Sequence, residues 1–244
     1  MRRVLPDPSD EVDLRAAYAV PEGVPHLRVN FVQSADGSAA VEGVSGPLSS
    51  PADKDIFFML RGLADVVLVG AGTVRDEGYG PVRRTGTGHR PPIAVVTNRL
   101  TLDPTTPFFT EAPPEQRPLI LTTDDADAAA FADVADVVRC GAGTVDTSRA
   151  VGELRARGHG RILCEGGPTL FGALLQAGEV DELDLSMAPV LAGSRGPSIL
   201  HTPTHGPPVP LHLHQLLADG DWLFARYSVR SSGVVRGLGE PARD

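Results

Sequence analysis

A carboxylate followed by two glycines and a proline, Glu165-Gly166-Gly167-Pro168-Thr169-Leu170, is the densest chemical signal in this chain. Glycines let a backbone come close to a bound ligand, and the free N–H groups that open a helix attract an anion. Pro168 suits the first turn of such a helix, Leu170, Leu174 and Leu175 form its apolar stripe, and Gly178 ends it. Arg161-Ile162-Leu163-Cys164 reads as the buried strand that leads in. The same logic recurs at Gly70-Ala71-Gly72-Thr73-Val74, directly after the strand Asp65-Val66-Val67-Leu68-Val69. Arg75 stands where a third glycine belongs, so the dinucleotide fingerprint of a Rossmann domain is not met. Gly141-Ala142-Gly143-Thr144 repeats the tetrapeptide after another strand, so those four residues alone are not specific. Two such loops together point to an extended, phosphate-bearing cofactor along one sheet edge.

Side-chain chemistry is otherwise thin. The chain has no GxSxG elbow, no HExxH and no HxE with a partner PCxxC. His212 and His214 share a strand face and read as solvent-facing rather than metal-binding, and His201 and His205 flank a proline loop, so no metal site is expected. Cys140 and Cys164 lack a CxxC spacing and read as buried thiols. Most acids fall at helix starts or turns, where capping accounts for them. Hydride transfer needs neither a nucleophile nor a metal, only two π-systems held face to face. A cofactor cradle without a catalytic triad therefore fits a reductase.

These loops need a sheet to carry them. Strands alternate with helices, which predicts an α/β fold with a mixed, mostly parallel sheet of roughly nine strands, helices on both faces and a C-terminal antiparallel hairpin. The first strand is expected at 27–33. Ser50-Pro51-Ala52-Asp53 then opens a helix with a capping serine, an N1 proline and an acid at the third position. Ile56, Phe57, Leu60, Leu63 and Ala64 continue it at helical spacing. Further strands are expected at 92–97, 118–122, 136–139, 161–164 and 181–190, with the hairpin at 211–217 and 222–229 turning at Asp219-Gly220-Asp221. Residues 83–91, 104–117 and 202–210 read as loops. Residues 1–25 read as an arm with at most a short helix, 26–230 as one domain and 231–244 as a frayed tail.

Composition closes off other classes. The 244 residues include 31 acidic against 22 basic ones, for a net charge of −9, with no basic run or aromatic-rich stripe, which argues against nucleic-acid binding. No apolar stretch approaches the roughly twenty residues of a membrane-spanning helix. Met1-Arg2-Arg3-Val4-Leu5-Pro6-Asp7 breaks into proline and acid before a signal-peptide core forms, so a cytoplasmic location is expected.

The order of these motifs resembles the pyrimidine reductase family of riboflavin biosynthesis, the family of the RibD C-terminal domain, whose fold resembles dihydrofolate reductase. The resemblance rests on Asn30-Phe31-Val32-Gln33-Ser34-Ala35-Asp36-Gly37, on Ser49-Ser50-Pro51 with Arg61, and on Val69-Gly70-Ala71-Gly72-Thr73-Val74-Arg75-Asp76-Glu77. Glu165-Gly166-Gly167-Pro168-Thr169-Leu170 and Val180-Asp181-Glu182-Leu183 complete it, over residues 26–229. It implies NADPH as cofactor, held by Val32, Gly72, Thr73, Glu77 and the segment Gly166, Gly167, Pro168, Thr169 and Leu170. Thr97, Asn98 and Arg99 lie where the family binds the adenosine 2′-phosphate. Ser45, Arg61, Arg83 and Glu165 match substrate-side positions, where guanidinium groups grip a ribose 5-phosphate bidentately. Asp36 or Glu165 would assist ring opening or protonation.

Two places depart from the family pattern. Pro47 stands where many members carry an aromatic residue, and Gly78-Tyr79-Gly80-Pro81-Val82-Arg83 replaces the usual Asp-Pro-x-Leu-Thr-Val-Arg after Glu77. Residues 1–25 are too short for the deaminase domain that often precedes this reductase, so a stand-alone enzyme is expected, and the resemblance implies a homodimer acting on a phosphorylated small molecule. A pterin reductase of the same fold and a non-catalytic nucleotide-binding protein remain the alternatives.

Overall fold

The computed structural model describes residues 1–193, 196–202 and 207–229. The chain runs β1 (Arg2–Leu5), α1 (Leu14–Ala17), β2 (His26–Ser34), α2 (Pro51–Leu63), β3 (Val66–Gly70), α3 (Ala71–Asp76), β4 (Ile93–Val96) and α4 (Pro107–Thr110). It continues through β5 (Leu119–Thr122), β6 (Asp136–Arg139), α5 (Thr147–Ala156), β7 (Arg161–Cys164), α6 (Pro168–Gln176), β8 (Glu182–Ala188), β9 (Leu211–Asp219) and β10 (Trp222–Val229). The strands form one sheet in the order β1-β9-β10-β8-β2-β7-β3-β4-β5-β6. From β8 to β6 every pairing is parallel, and β1, β9 and β10 add antiparallel pairings at the other end. None of the helices described is long and apolar enough to cross a membrane.

The mixed sheet and terminal hairpin agree with expectation, with ten strands among the described residues where roughly nine were expected. The additional strand is β1, in the arm expected to hold at most a short helix. Its Arg-rich sequence shows no alternation, and the strand forms because β9 offers an open edge, where Arg2 pairs Ala218 and Arg3 pairs Leu217. The expected tail at 231–244 and His205 lie outside the described residues.

Two apolar layers flank the sheet. On one face Leu27, Val29, Phe31, Leu68 and Ile162 pack under α5 and α6 through Ala150, Val151, Leu154, Leu170 and Leu174. On the other, Val67, Val69, Val95 and Leu163 pack under α2, α3 and α4 through Ile56, Leu60, Val74, Phe108 and Phe109. β3 is central and covered on both faces, which is why Val66 to Val69 read as an unbroken apolar run. Cys164 and Cys140 are buried free thiols, and burial pushes the Cys164 thiol up to about 12.

A cluster of charge interrupts the second layer beneath the arm. Arg28 on β2, Glu182 and Asp184 on β8, and Arg226 on β10 lie together, with Arg226 Nη2 at 2.6 Å and Arg28 Nη2 at 3.2 Å from Glu182. The two arginines also donate to the carbonyls of Tyr18 (3.0 Å) and Ala17 (2.8 Å), which fastens the arm to the sheet. Burial and the charge of Glu182 push the Asp184 carboxyl well up. Burial also opposes the charge of Glu182, but Arg28, His26 and Arg226 outweigh it and hold that carboxyl far down.

Candidate active site

The two glycine loops meet. β3 and β7 are parallel neighbours, so Gly70 and Glu165 emerge at the same sheet edge, the carboxyl end where α/β sheets bind ligands. Gly70 N–H donates to Gly166 O at 2.8 Å and Glu165 N–H to Leu68 O at 3.0 Å. A Cβ on Gly167 would lie 2.9 Å from Thr73 Oγ1, and one on Gly70 3.4 Å from Gly167 N. Gly166 has φ +87° and sits on the Phe31 ring, which a Cβ there would approach to 2.7 Å. The Gly166–Gly167 peptide is cis. Gly70 and Gly167 are the N-caps of α3 and α6, and neither helix start has a side-chain cap, which leaves first-turn N–H groups for a ligand.

Beside this cradle stands a carboxylate with three donors. Arg61 Nε and Nη2, from α2, donate to Glu165 Oε1 and Oε2, each at 2.7 Å, and the Tyr79 hydroxyl donates to Oε2 at 2.7 Å. The Arg61 guanidinium lies 4.2 Å from the centre of the Phe57 ring and 5.5 Å from that of Tyr79. The pair is well shielded, with 12% of the Arg61 side chain and 3% of that of Glu165 exposed. Burial works against the Arg61 charge, but Glu165 and Tyr79 more than offset it and raise its pKa further. Burial and the Glu165 charge push the Tyr79 phenol well above its ordinary value, so it acts as a neutral donor.

The other expected residues spread along the same edge. Glu77 Oε1 accepts the Ser45 N–H at 2.7 Å and so ties the β2–α2 connection to the end of α3. Val32, half-buried on β2, is in register with Ser186 of β8. Thr169 is exposed, whereas the Leu170 side chain is buried in the core. After β4, Thr97 Oγ1 accepts the Leu100 N–H, Asn98 Oδ1 accepts the Val145 N–H at 2.9 Å, and Arg99 is exposed without a side-chain partner among the described residues. Arg83 is exposed and pairs with Glu111. Asp36 is a fastening: it accepts the Ser34 hydroxyl and the N–H groups of Ala192 (3.0 Å) and Gly193 (2.8 Å), donors that hold its carboxyl far below the usual range. A recess of about 540 Å³ lined by Ala126, Ala129, Asp136 and Arg139 opens beside β6, and none of these site residues lines it.

Asp53 joins this group as a residue that the sequence pattern concealed. It is buried on α2 and accepts the Ser49 hydroxyl at 2.5 Å, and burial pushes its carboxyl up against the opposing pull of Ser186 and Ser49. An acid at the third position of a helix capped by Ser50 is what capping alone requires, so the pattern had a sufficient local explanation. Only the strand opposite, which supplies Ser186, reveals a buried acid able to hold a proton.

The fold is thus an α/β protein whose parallel sheet carries two touching glycine loops and a shielded Arg–Glu pair at one edge. Residues 25–220 match the RibD C-terminal domain, and the chain belongs to that family. It is similar to the riboflavin biosynthesis protein RibD of Mycobacterium tuberculosis, at 29% identity over 175 residues, covering 70% of this chain and 44% of that protein. The chain thus spans less than half the length of that relative. It is 29% identical over 176 residues to the 2,5-diamino-6-ribosylamino-4(3H)-pyrimidinone 5′-phosphate reductase of Methanothermobacter thermautotrophicus, covering 70% of this chain and 81% of that enzyme. Among solved structures, a pyrimidine reductase-like protein from Corynebacterium diphtheriae superposes with a TM-score of 0.79 at 29% identity, covering 91% of this chain and all of that one.

Proposed function

We propose that this chain is an NADPH-dependent reductase of a ribosylamino-pyrimidine 5′-phosphate. The observation that carries the reading is the contact between the two glycine loops, with the Arg61–Glu165 pair at their edge. The Methanothermobacter relative, named as a reductase of such a compound, supports it. The cofactor fits the residues present. Side chains at Gly70 and Gly167 would fill the cradle, and uncapped amides at two helix starts suit a pyrophosphate. Gly72, Thr73 and residues 166–170 would hold it, with Thr97, Asn98 and Arg99 toward its 2′-phosphate.

When bound, NADPH supplies a hydride to the ribose C1 of the open-chain or imine form, giving the ribitylamino product. The chain's own residues orient the substrate and hold protons. Arg61 Nη1 has no partner among the described residues and is not sealed from solvent, so it can take a substrate anion while Nε and Nη2 stay on Glu165. Asp53, with its raised pKa, can hold a proton at the α2 side of the site.

A second reading keeps some support. Arg61 and Arg83 both sit in ion pairs, which suits a substrate without a phosphate, such as a pterin. NADPH oxidation measured with the ribosylamino-pyrimidine phosphate beside dihydrofolate tests both. Turnover of the first alone upholds the proposal, turnover of the second alone replaces it, and cofactor binding without turnover marks a non-catalytic nucleotide-binding protein. The same reading expects a cytoplasmic homodimer. Val190, Leu191, Leu200 and Val209 expose apolar surface between β8 and β9, and light scattering at twice 25.6 kDa would bear the dimer out.

A further inference from the structure

Tyr79 stands where the chain departs from the family's usual run, and no reading of the sequence gives it a task. Its position is nonetheless fixed from three sides. Its N–H donates to Val74 O at 3.0 Å, which fastens it to α3, the helix that begins in the Gly70-Ala71-Gly72-Thr73 loop. Its hydroxyl donates to Glu165 Oε2, one residue before the Gly166-Gly167 loop. Its ring flanks the Arg61 guanidinium, with Phe57 the second ring against that group. One residue thus joins α3 through its backbone and reaches Glu165 and the cation beside the cradle through its side chain.

The consequence lies in how the donors divide. Glu165 Oε1 takes Arg61 Nε, and Oε2 takes both Arg61 Nη2 and the phenol. A carboxylate that already accepts three short hydrogen bonds has its capacity directed to its own chain. The guanidinium, gripped on one edge and flanked by two rings, cannot swing, so Nη1 points one way. We propose that Tyr79 is a positioning residue: it fixes the Arg61–Glu165 pair so that Arg61 Nη1 is presented to an anionic group of the substrate. The proposal deepens the reductase reading and rests on it for the identity of that substrate.

Tyr79→Phe keeps the ring and removes the hydroxyl. The KM for the ribosylamino-pyrimidine 5′-phosphate should rise about tenfold, the scale of one hydrogen bond to a charged group, with kcat, NADPH affinity and thermal midpoint nearly unchanged. In a Glu165→Gln background the same substitution should add little, because Tyr79 acts through that carboxylate. An unchanged KM, an equal factor in both backgrounds, or a loss that follows the thermal midpoint would overturn the proposal. If wild-type protein reduces dihydrofolate instead, the substrate reading fails and the same cycle is run on dihydrofolate, whose carboxylates are the anion. If it reduces neither, inorganic phosphate is titrated against the Arg61 side-chain NMR signal. A shift in wild type that needs about tenfold more phosphate in Tyr79→Phe supports the positioning role, and no wild-type shift overturns it.

Discussion

Gly166 and Gly167 are adjacent but answer to different constraints, and substitutions should separate them. Gly166 has φ +87° and lies against Phe31, so alanine there is strained in backbone and in space. Gly166→Ala should lower stability by about 1–3 kcal/mol, visible as a drop in thermal midpoint. Gly167 has φ −74°, which any residue adopts, and a Cβ there meets only Thr73 Oγ1, the end of a side chain facing the cradle. Gly167→Val should spare most of the fold and weaken NADPH binding at least about tenfold, roughly 1.4 kcal/mol. Measuring midpoint and affinity on both variants decides this, and a stable Gly167→Val with normal affinity removes the loop from the site. Arg61→Ala is expected to cost more than substrate contact, since it leaves Glu165 buried with one donor in place of three. A fall in both substrate affinity and thermal midpoint is the expected pattern, and loss of substrate affinity alone would show that the pair adds nothing to stability.

At the scale of elements, Asp36 works as a clasp between the end of β2 and the segment after β8. Its bonds to the Ala192 and Gly193 amides are exposed, so they govern local opening more than global stability. Asp36→Ala should speed hydrogen exchange at those two amides while leaving β2 and β8 protected. Protection unchanged at both amides would show that the segment is held elsewhere. A clasp between residues about 156 positions apart is the kind of feature sequence does not display, whereas much of the rest was legible. β6 and β7 fall where charged residues bracket short apolar runs, and α2 opens at Ser50 because the cap, the proline and the acid all agree. Glu165 and Arg61 were both recognisable, but their pairing across 104 positions was not, and the arginine expected to be free for phosphate is instead engaged on two of its nitrogens. β1 escaped because its reason for being a strand lies in β9, not in its own residues.

Across the whole molecule, the charged cluster beneath the arm joins β2, β8 and β10 to the first eighteen residues, and its two acids pull stability in opposite directions. Glu182 has a depressed pKa, so its contribution is present above its ordinary value and fades as pH falls toward the folded one. Asp184 is the reverse. Its folded pKa is raised, so the native state keeps a proton that the unfolded chain releases near pH 4, and stability falls as pH climbs from there toward the folded pKa. Arg28 Nε comes no nearer to Asp184 than 4.0 Å, while the Arg28 and Arg226 bridges within 3.5 Å go to Glu182. Asparagine has the shape of the protonated acid and no charge to desolvate. Asp184→Asn should therefore leave the thermal midpoint close to wild type near pH 4 and raise it increasingly as pH climbs from there. Glu182→Gln should lower it at neutral pH by removing the counter-charge of two buried guanidinium groups, a loss on the order of 3–5 kcal/mol. Melting both variants across this pH range tests the assignment. A midpoint for Asp184→Asn that is lower than wild type at every pH would mean that Asp184 is ionised and holds the arginines, and that the arm is fastened by both acids rather than by Glu182.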